Sequence, residues 1–246
     1  MVEAGDPDRF LSGMTARVGD RARLWPLYAF NLEIARAPWA SQESMIAEMR
    51  LQWWRDTVEQ IGAGMAPQGH EVIGALAVVV AQAGSPVELL DRMIVARRWD
   101  IYHEPFEDMA AFEAHIDATS GGLMWLAALA LGAGPGAEAA VRGVGYAAGV
   151  ASWLRAVPEL QTRGRVPLVG DVVSLAQGAL ARLATARGLR ATVPARAAPA
   201  LLAGWQAGAV LRQVVAEPGR VAAGALGQSE FARRGGLVWR SALGRW

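Results

Sequence analysis

The chain has 246 residues, no cysteine and 24 basic residues, every one of them arginine. The missing cysteine excludes a disulfide scaffold, a CxxC zinc site, an iron–sulfur cluster and a thiolate nucleophile, and the missing lysine excludes a P-loop lysine and a Schiff base. Net charge is only +1, yet residues 1–138 carry 10 arginines against 19 acids while residues 139–246 carry 14 against four. Such a split suits either mutual docking of the two halves or an anionic partner for the second.

Periodicity is helical nearly throughout. Asp20 is placed to cap a helix through Leu24, Leu27, Tyr28, Leu32 and Ala35, apolar positions spaced at three and four, which Pro38 ends. Ser41 begins a second helix with Ala47, Leu51, Trp54, Val58 and Ile61 on one stripe, closed by Gly62 and Gly64. Ser85 and Pro86 read as the N-cap and first residue of a helix reaching about His103. Further helices are predicted over 108–132, 136–157, 172–188, 196–217 and 229–243, with a loop in the Arg/Ala/Pro-rich stretch 187–199.

No segment alternates with the two-residue period of a strand, and there is no repeat or low-complexity linker. The chain therefore reads as all-α, a single domain over residues 1–246 with about eight to ten helices. Its longest uncharged stretch, residues 118–137, is interrupted by Gly132-Ala-Gly-Pro-Gly136 and is too short in its apolar part to span a bilayer. Met1–Asp6 carries acids where a secretory leader needs basic residues, so the expected location is cytoplasmic. The arginines form no dense run of the kind that binds nucleic acid, and no nucleic-acid partner is expected.

Generic motifs carry little chemistry. His70, His103 and His115 lack a second ligand at metal spacing and read as solvated helix-end residues. Arg55 and Glu59 form an i, i+4 pair expected on a solvated face, and Trp53-Trp54 reads as packing. Asp100, in Arg97-Arg-Trp-Asp100, reads as a structural or cavity-wall acid.

Two segments say more: Arg21-Ala-Arg-Leu-Trp-Pro-Leu-Tyr-Ala-Phe-Asn-Leu-Glu-Ile-Ala-Arg36, followed by Arg50-Leu-Gln-Trp-Trp-Arg-Asp56, and Gly149 to Leu168 with its Gly164-Arg-Val turn. Together they resemble the squalene/phytoene synthase family, most strongly over residues 8–170. The resemblance implies the isoprenoid synthase fold, a helical bundle around a central cavity. In active members two helices present aspartate pairs four residues apart on one face, which hold Mg²⁺ against the substrate diphosphate. The matching positions here are Ala35, Arg36 and Trp39 in the first segment, and Ser152, Ala156 and Leu160 in the second. Glu33 and Glu159 lie one or two residues away, roughly 100–200° around the helix from the ligand direction. No metal-binding residues are therefore assigned, and no cofactor is expected unless the chain is an active Mg²⁺-dependent enzyme.

The resemblance points to a branch lacking the aspartate-rich motifs, known for the mitochondrial complex I assembly factor of this fold. It implies a non-catalytic protein acting in biogenesis of the respiratory NADH:quinone oxidoreductase, with a complex I subunit or assembly intermediate as partner and a peripheral contact with the inner membrane. Two alternatives stay open: a prenyltransferase condensing prenyl diphosphates, and a non-catalytic isoprenoid- or lipid-binding protein. For a ligand in a relic cavity the candidate contacts are Tyr28, Phe30, Arg36, Arg155 and Arg165, the arginines supplying forks suited to phosphate.

Overall fold

A computed structural model of the chain describes residues 1–41, 43–65, 67 and 69–246. Among the described residues it is helical, without a strand. The helices are α1 (Val2–Gly5), α2 (Pro7–Met14), α3 (Val18–Arg36), α4 (Ser44–Gly62), α5 (Glu71–Ala83), α6 (Val87–Ala96) and α7 (Met109–Ile116). After a π-helical turn at Asp117–Gly121 come α8 (Gly122–Ala130), α9 (Glu138–Thr162), α10 (Val172–Gly188), α11 (Ala198–Leu202), α12 (Ala207–Ala216), α13 (Gly219–Ala222) and α14 (Glu230–Ala242).

Helix α8 is the buried post of the bundle. Its run Gly122-Leu-Met-Trp-Leu-Ala-Ala is buried on every side, and α3 and α9, the helices carrying the two sequence segments, both pack against it. Leu24, Leu27, Phe30 and Ile34 of α3 and Val150, Leu154 and Val157 of α9 are buried in the same core. Helices α4, α5 and α6 cover one side, and α10 and α12 pack on α9 from the other. No helix among the described residues is long and apolar enough to cross a membrane.

Several boundaries differ from the periodicity reading, each for a local reason. The second helix starts at Ser44, not at Ser41, whose hydroxyl instead accepts from the Glu43 N–H at 3.1 Å. The third starts at Val87 behind Pro86, with the Ser85 hydroxyl buried, and gives way at Arg97 to a 3₁₀ turn ending at Asp100. The predicted helix 108–132 is split by the π turn, where the Thr119 hydroxyl donates to the His115 carbonyl at 2.7 Å and α9 comes close. A Cβ added at Gly145 would lie 2.9 Å from Gly121 Cα, so glycine lets the two backbones meet there, and one at Gly149 would lie 2.7 Å from Ile116 Cγ2.

Helix α9 continues through Pro158 to Thr162, and not to 157, although Pro158 removes one N–H from its ladder. The span 196–217 divides into α11 and α12 around Trp205 and Gln206, whose side chains turn to the Arg233 carbonyl and to Asp8. Periodicity missed α5, although Val72, Ile73, Leu76, Val79 and Val80 form its buried face; His70 Nδ1 caps its start and Gly84, in the left-handed region at φ 56°, ends it.

Much of the charge split is resolved inside the molecule. Arg196 clasps buried Asp20 at 2.5 Å, Arg182 meets Glu113 at 2.6 Å, Arg142 meets Asp117 at 3.1 Å, and Arg155 and Arg233 both reach Asp8. Arg55 is paired with Asp91 of α6 at 2.6 Å and not with Glu59, tying α4 to α6.

Candidate functional site

Between α3, α9 and the π turn lies a cavity of about 320 Å³. Ala35 and the 3₁₀ residue Trp39 line it from the first segment; Ser152, Ala156 and Leu160 line it from α9 as one i, i+4, i+8 stripe. Five of the six positions that the resemblance matches to metal ligands therefore share one space. Arg36 does not reach it: its side chain is exposed and its nearest acid is Glu33 at 3.8 Å. Glu33 in turn lies 3.4 Å from His70 Nε2.

The other candidate ligand contacts scatter. Tyr28 and Arg155 line a smaller compartment of about 90 Å³, which has Arg9, Ser120 and Ser152 as walls in common with the main cavity. The Tyr28 hydroxyl is buried without a hydrogen-bond partner among the described residues, and burial raises its pKa well above the usual phenol value. Phe30 lines neither compartment; it is fully buried edge-on against Trp54 at 5.4 Å between centroids. Arg165 is only 7% exposed and donates to the carbonyls of Asp100 (2.5 Å), Ile101 (3.3 Å) and Tyr102. Its guanidinium is occupied by the backbone and is not presented to a ligand.

Local geometry explains that placement. Gly164 adopts φ 75°, which returns the chain after α9 so that the Arg165 N–H bonds the Leu160 carbonyl at 2.9 Å. The Arg165 side chain then turns inward beneath Trp39. Arg163 and Arg165 stand 4.5 and 5.2 Å from the Trp39 ring centroid, two cation–π contacts bridging the ends of the two motif segments.

Sequence reasoning missed part of the cavity wall. His115 is 7% exposed, not solvated, and packs among Trp99, Phe106 and Trp153 with centroids 5.2–6.0 Å away. Burial, then the nearby Arg97 cation, push its pKa down to about 3, so the imidazole is neutral across the physiological range. Its signal was the stripe Phe112, His115, Ile116 and Thr119, all buried at helical spacing. Asn31 also lines the cavity, and Asp100, expected as a structural or cavity-wall acid, lines it too at 5% exposed. Burial raises the Asp100 pKa, while Arg97 at 3.4 Å and the Arg165 charge oppose the rise.

A model of the family "Squalene/phytoene synthase" matches residues 2–174. The chain belongs to the squalene/phytoene synthase family. The human protein named "NADH dehydrogenase (ubiquinone) complex I, assembly factor 6" is 26% identical over 177 residues, 71% of this chain and 53% of its own. The chain thus spans about half the length of the curated relatives it matches. Among solved structures, a dehydrosqualene synthase in complex with ligand is similar with a TM-score of 0.80 at 14% identity, over 98% of this chain and 93% of that one. The squalene synthase HpnC from Alicyclobacillus acidocaldarius is similar with a TM-score of 0.72 at 15% identity, over 87% of this chain and 89% of that one. These likenesses establish the isoprenoid synthase fold.

The donor set of this squalene/phytoene synthase family member does not fit magnesium. Mg²⁺ needs a near-octahedral set of oxygens, whereas Ala35, Trp39, Ala156 and Leu160 offer carbon and only Ser152 offers a hydroxyl. The two carboxylates lining the cavity are engaged elsewhere, Asp100 by Arg97 and Glu159 by Arg163 at 2.5 Å. Arg9, Arg97 and Arg163 add positive charge to the same walls. Among the described residues no group of three or more His, Asp or Glu is disposed to hold a metal.

Proposed function

We propose that the protein is a non-catalytic squalene/phytoene synthase homologue that acts by binding, in assembly of respiratory complex I. The observation that carries the reading is the cavity itself. Ala35, Trp39, Ser152, Ala156 and Leu160 surround one space, as paired carboxylates do in the enzymes, yet not one supplies a carboxylate. Without metals to neutralise a departing diphosphate, ionisation of a prenyl diphosphate loses its main source of stabilisation. The relatives named as complex I assembly factor 6 support the direction of the function, with a complex I subunit or assembly intermediate as partner; the reading places the work in the cytoplasm, peripheral to the inner membrane.

Two measurements test this. Purified protein incubated with Mg²⁺ and farnesyl or geranylgeranyl diphosphate is expected to release no diphosphate above the buffer rate; robust release overturns the non-catalytic reading. A deletion strain is expected to lose NADH:quinone oxidoreductase activity and accumulate assembly intermediates; normal activity and assembly remove the respiratory role.

A second reading concerns a ligand. The cavity is open at about 320 Å³ and walled by Trp39, Ile116, Trp153 and Leu160, surfaces suited to an isoprenoid or lipid chain. Native mass spectrometry of the protein purified from its own host tests it: an adduct of isoprenoid or lipid mass supports the reading, and a bare chain counts against it.

A further inference from the structure

Charge on the walls of the two compartments is cancelled pair by pair. Arg9 is paired with Asp6, Arg97 with Asp100 at 3.4 Å, Arg155 with Asp8 at 3.7 Å and Arg163 with Glu159 at 2.5 Å. Each of these side chains lines one compartment or the other. His115, the remaining titratable group of the main cavity, is neutral. A diphosphate or carboxylate entering this space therefore meets a free cation only if an existing pair breaks.

Four uncharged polar side chains are left without a protein partner at the same place. Tyr28 and Asn31 are three residues apart on one face of α3, Ser120 stands in the π turn and Ser152 on α9. Tyr28 lines the small compartment, Asn31 the main cavity, and Ser120 and Ser152 line both. Among the described residues none of the four makes a side-chain hydrogen bond to the protein. Their neighbours do: the Thr119 hydroxyl donates to the His115 carbonyl at 2.7 Å, and the Gln206 amide donates to Asp8 at 2.7 Å. Tyr28 is 2% exposed and Asn31 7%, so both have left bulk water without gaining a protein partner. Burial also keeps the Tyr28 hydroxyl protonated and able to donate, while the Asn31 amide both donates and accepts. The rest of the main cavity presents Trp39, Ile116, Trp153 and Leu160.

We propose that the cavity takes an apolar chain ending in an uncharged oxygen function, a hydroxyl or carbonyl, whose oxygen is held among Tyr28, Asn31, Ser120 and Ser152. The proposal rests on the ligand reading of the cavity and names the head group that reading left open; it is independent of the complex I reading. A neutral head leaves all four ion pairs intact and needs no metal. It also supplies what buried, unbonded polar groups lack, a partner inside the cavity. Water is the competing partner for these groups, and it has no use for the aromatic and aliphatic wall beside them.

The test is a titration of the purified chain followed by tryptophan fluorescence, since Trp39 and Trp153 line the cavity. The probes are farnesol, farnesene, farnesyl diphosphate without Mg²⁺, and palmitate. Farnesol is expected to bind about tenfold or more tightly than the diphosphate, the fatty acid or the hydrocarbon. Asn31→Leu is expected to weaken farnesol about five- to tenfold, the size of one hydrogen bond, and to leave farnesene unchanged. Tyr28→Phe is expected to weaken farnesol in the same way while Tm stays the same or rises, because it deletes an unbonded hydroxyl. A clear fall in Tm shows that the hydroxyl has an internal partner and overturns the assignment. Farnesyl diphosphate or palmitate bound as tightly as farnesol overturns the neutral head and leaves the ligand reading standing. Equal affinity for farnesol and farnesene leaves the four groups to water and overturns it too. Failure of every probe to bind removes the ligand reading and the proposal together.

Discussion

Replacing Arg165 by methionine tests how the segment Asp100–Tyr102, which brings Asp100 to the cavity wall, is held in place. The guanidinium is 7% exposed and satisfies the carbonyls of Asp100, Ile101 and Tyr102, while its charge opposes the burial penalty on Asp100. Methionine fills most of the volume but leaves carbonyls without a donor and one buried carboxylate with less countercharge. Each unsatisfied buried acceptor costs about 1–3 kcal/mol, and breaking a buried charge arrangement about 3–5 kcal/mol. These overlap, so the expected total is about 3–5 kcal/mol, or roughly 6–20 °C in Tm for a chain of this size. Scanning calorimetry measures it, with Arg163→Met as control: that arginine is half exposed and its pair with Glu159 is a surface pair worth ~0–1 kcal/mol. The sign with pH follows from Asp100. Its native pKa is raised above the unfolded value, so stability falls as pH rises from the unfolded pKa and the whole cost of the buried charge is present once pH exceeds the native pKa. The Arg165→Met loss is therefore expected to shrink as pH falls through that raised native value, where Asp100 is protonated. A Tm within 3 °C of wild type, or a loss that grows on acidification, refutes the reasoning.

Other outcomes follow from the same geometry. His115, with a native pKa of about 3 against 6.5, contributes stability that is fully present above pH 6.5 and is lost as pH falls towards 3. About 2 kcal/mol should be gone by pH 5, and His115→Phe, among aromatic neighbours, should flatten that part of an acid-unfolding profile. Gly149→Val places carbon where a Cβ already meets Ile116 and Ser120 at 2.7 Å, and should cost about 1–3 kcal/mol by urea titration. Trp39→Ala removes two cation–π contacts, about 0.5–1 kcal/mol each where exposed. It also removes the wall that the main cavity shares with the neighbouring space beneath His103 and Arg165, so uptake of a hydrophobic dye should rise. Unchanged dye binding by fluorescence titration counts against Trp39 as a partition.

What the residues disclosed without coordinates was mostly local. The Ser152–Ala156–Leu160 stripe needs only helical spacing, and α10 runs from Val172 to Gly188 because Asp171 caps it and no proline interrupts. The π turn was not readable, because it arises where α9 approaches at Gly145 and Gly149, 24 or more residues away in sequence. The roles of Arg165 and His115 were hidden for the same reason. An arginine after a Gly164 turn reads as a phosphate fork until the chain reversal shows three carbonyls already accepting from it. A histidine at a helix end reads as solvated until α6 and α9 close over it. For α14 the spacing gave a helix over 229–243 but not its orientation, which is set by anchoring through Arg233 and Leu237 and leaves Phe231, Val238 and Trp239 exposed.

The substitutions at the two motif segments form a coherent set. Paired carboxylates facing across a cavity repel one another and need cations between them, so such a site is held together only when metal is present. Here the attraction is internal. Trp39 from the end of the first segment lies under Arg163 and Arg165 from the end of the second, and Asp100 and Glu159 are met by Arg97 and Arg163. A cavity closed by its own cation–π and ion-pair contacts keeps its shape without diphosphate or magnesium. That is the property a protein needs if it uses the fold to bind and no longer to ionise a substrate. An aspartate placed at Ala35 or Ala156 would set a carboxylate among arginines already committed to partners, not create a metal site.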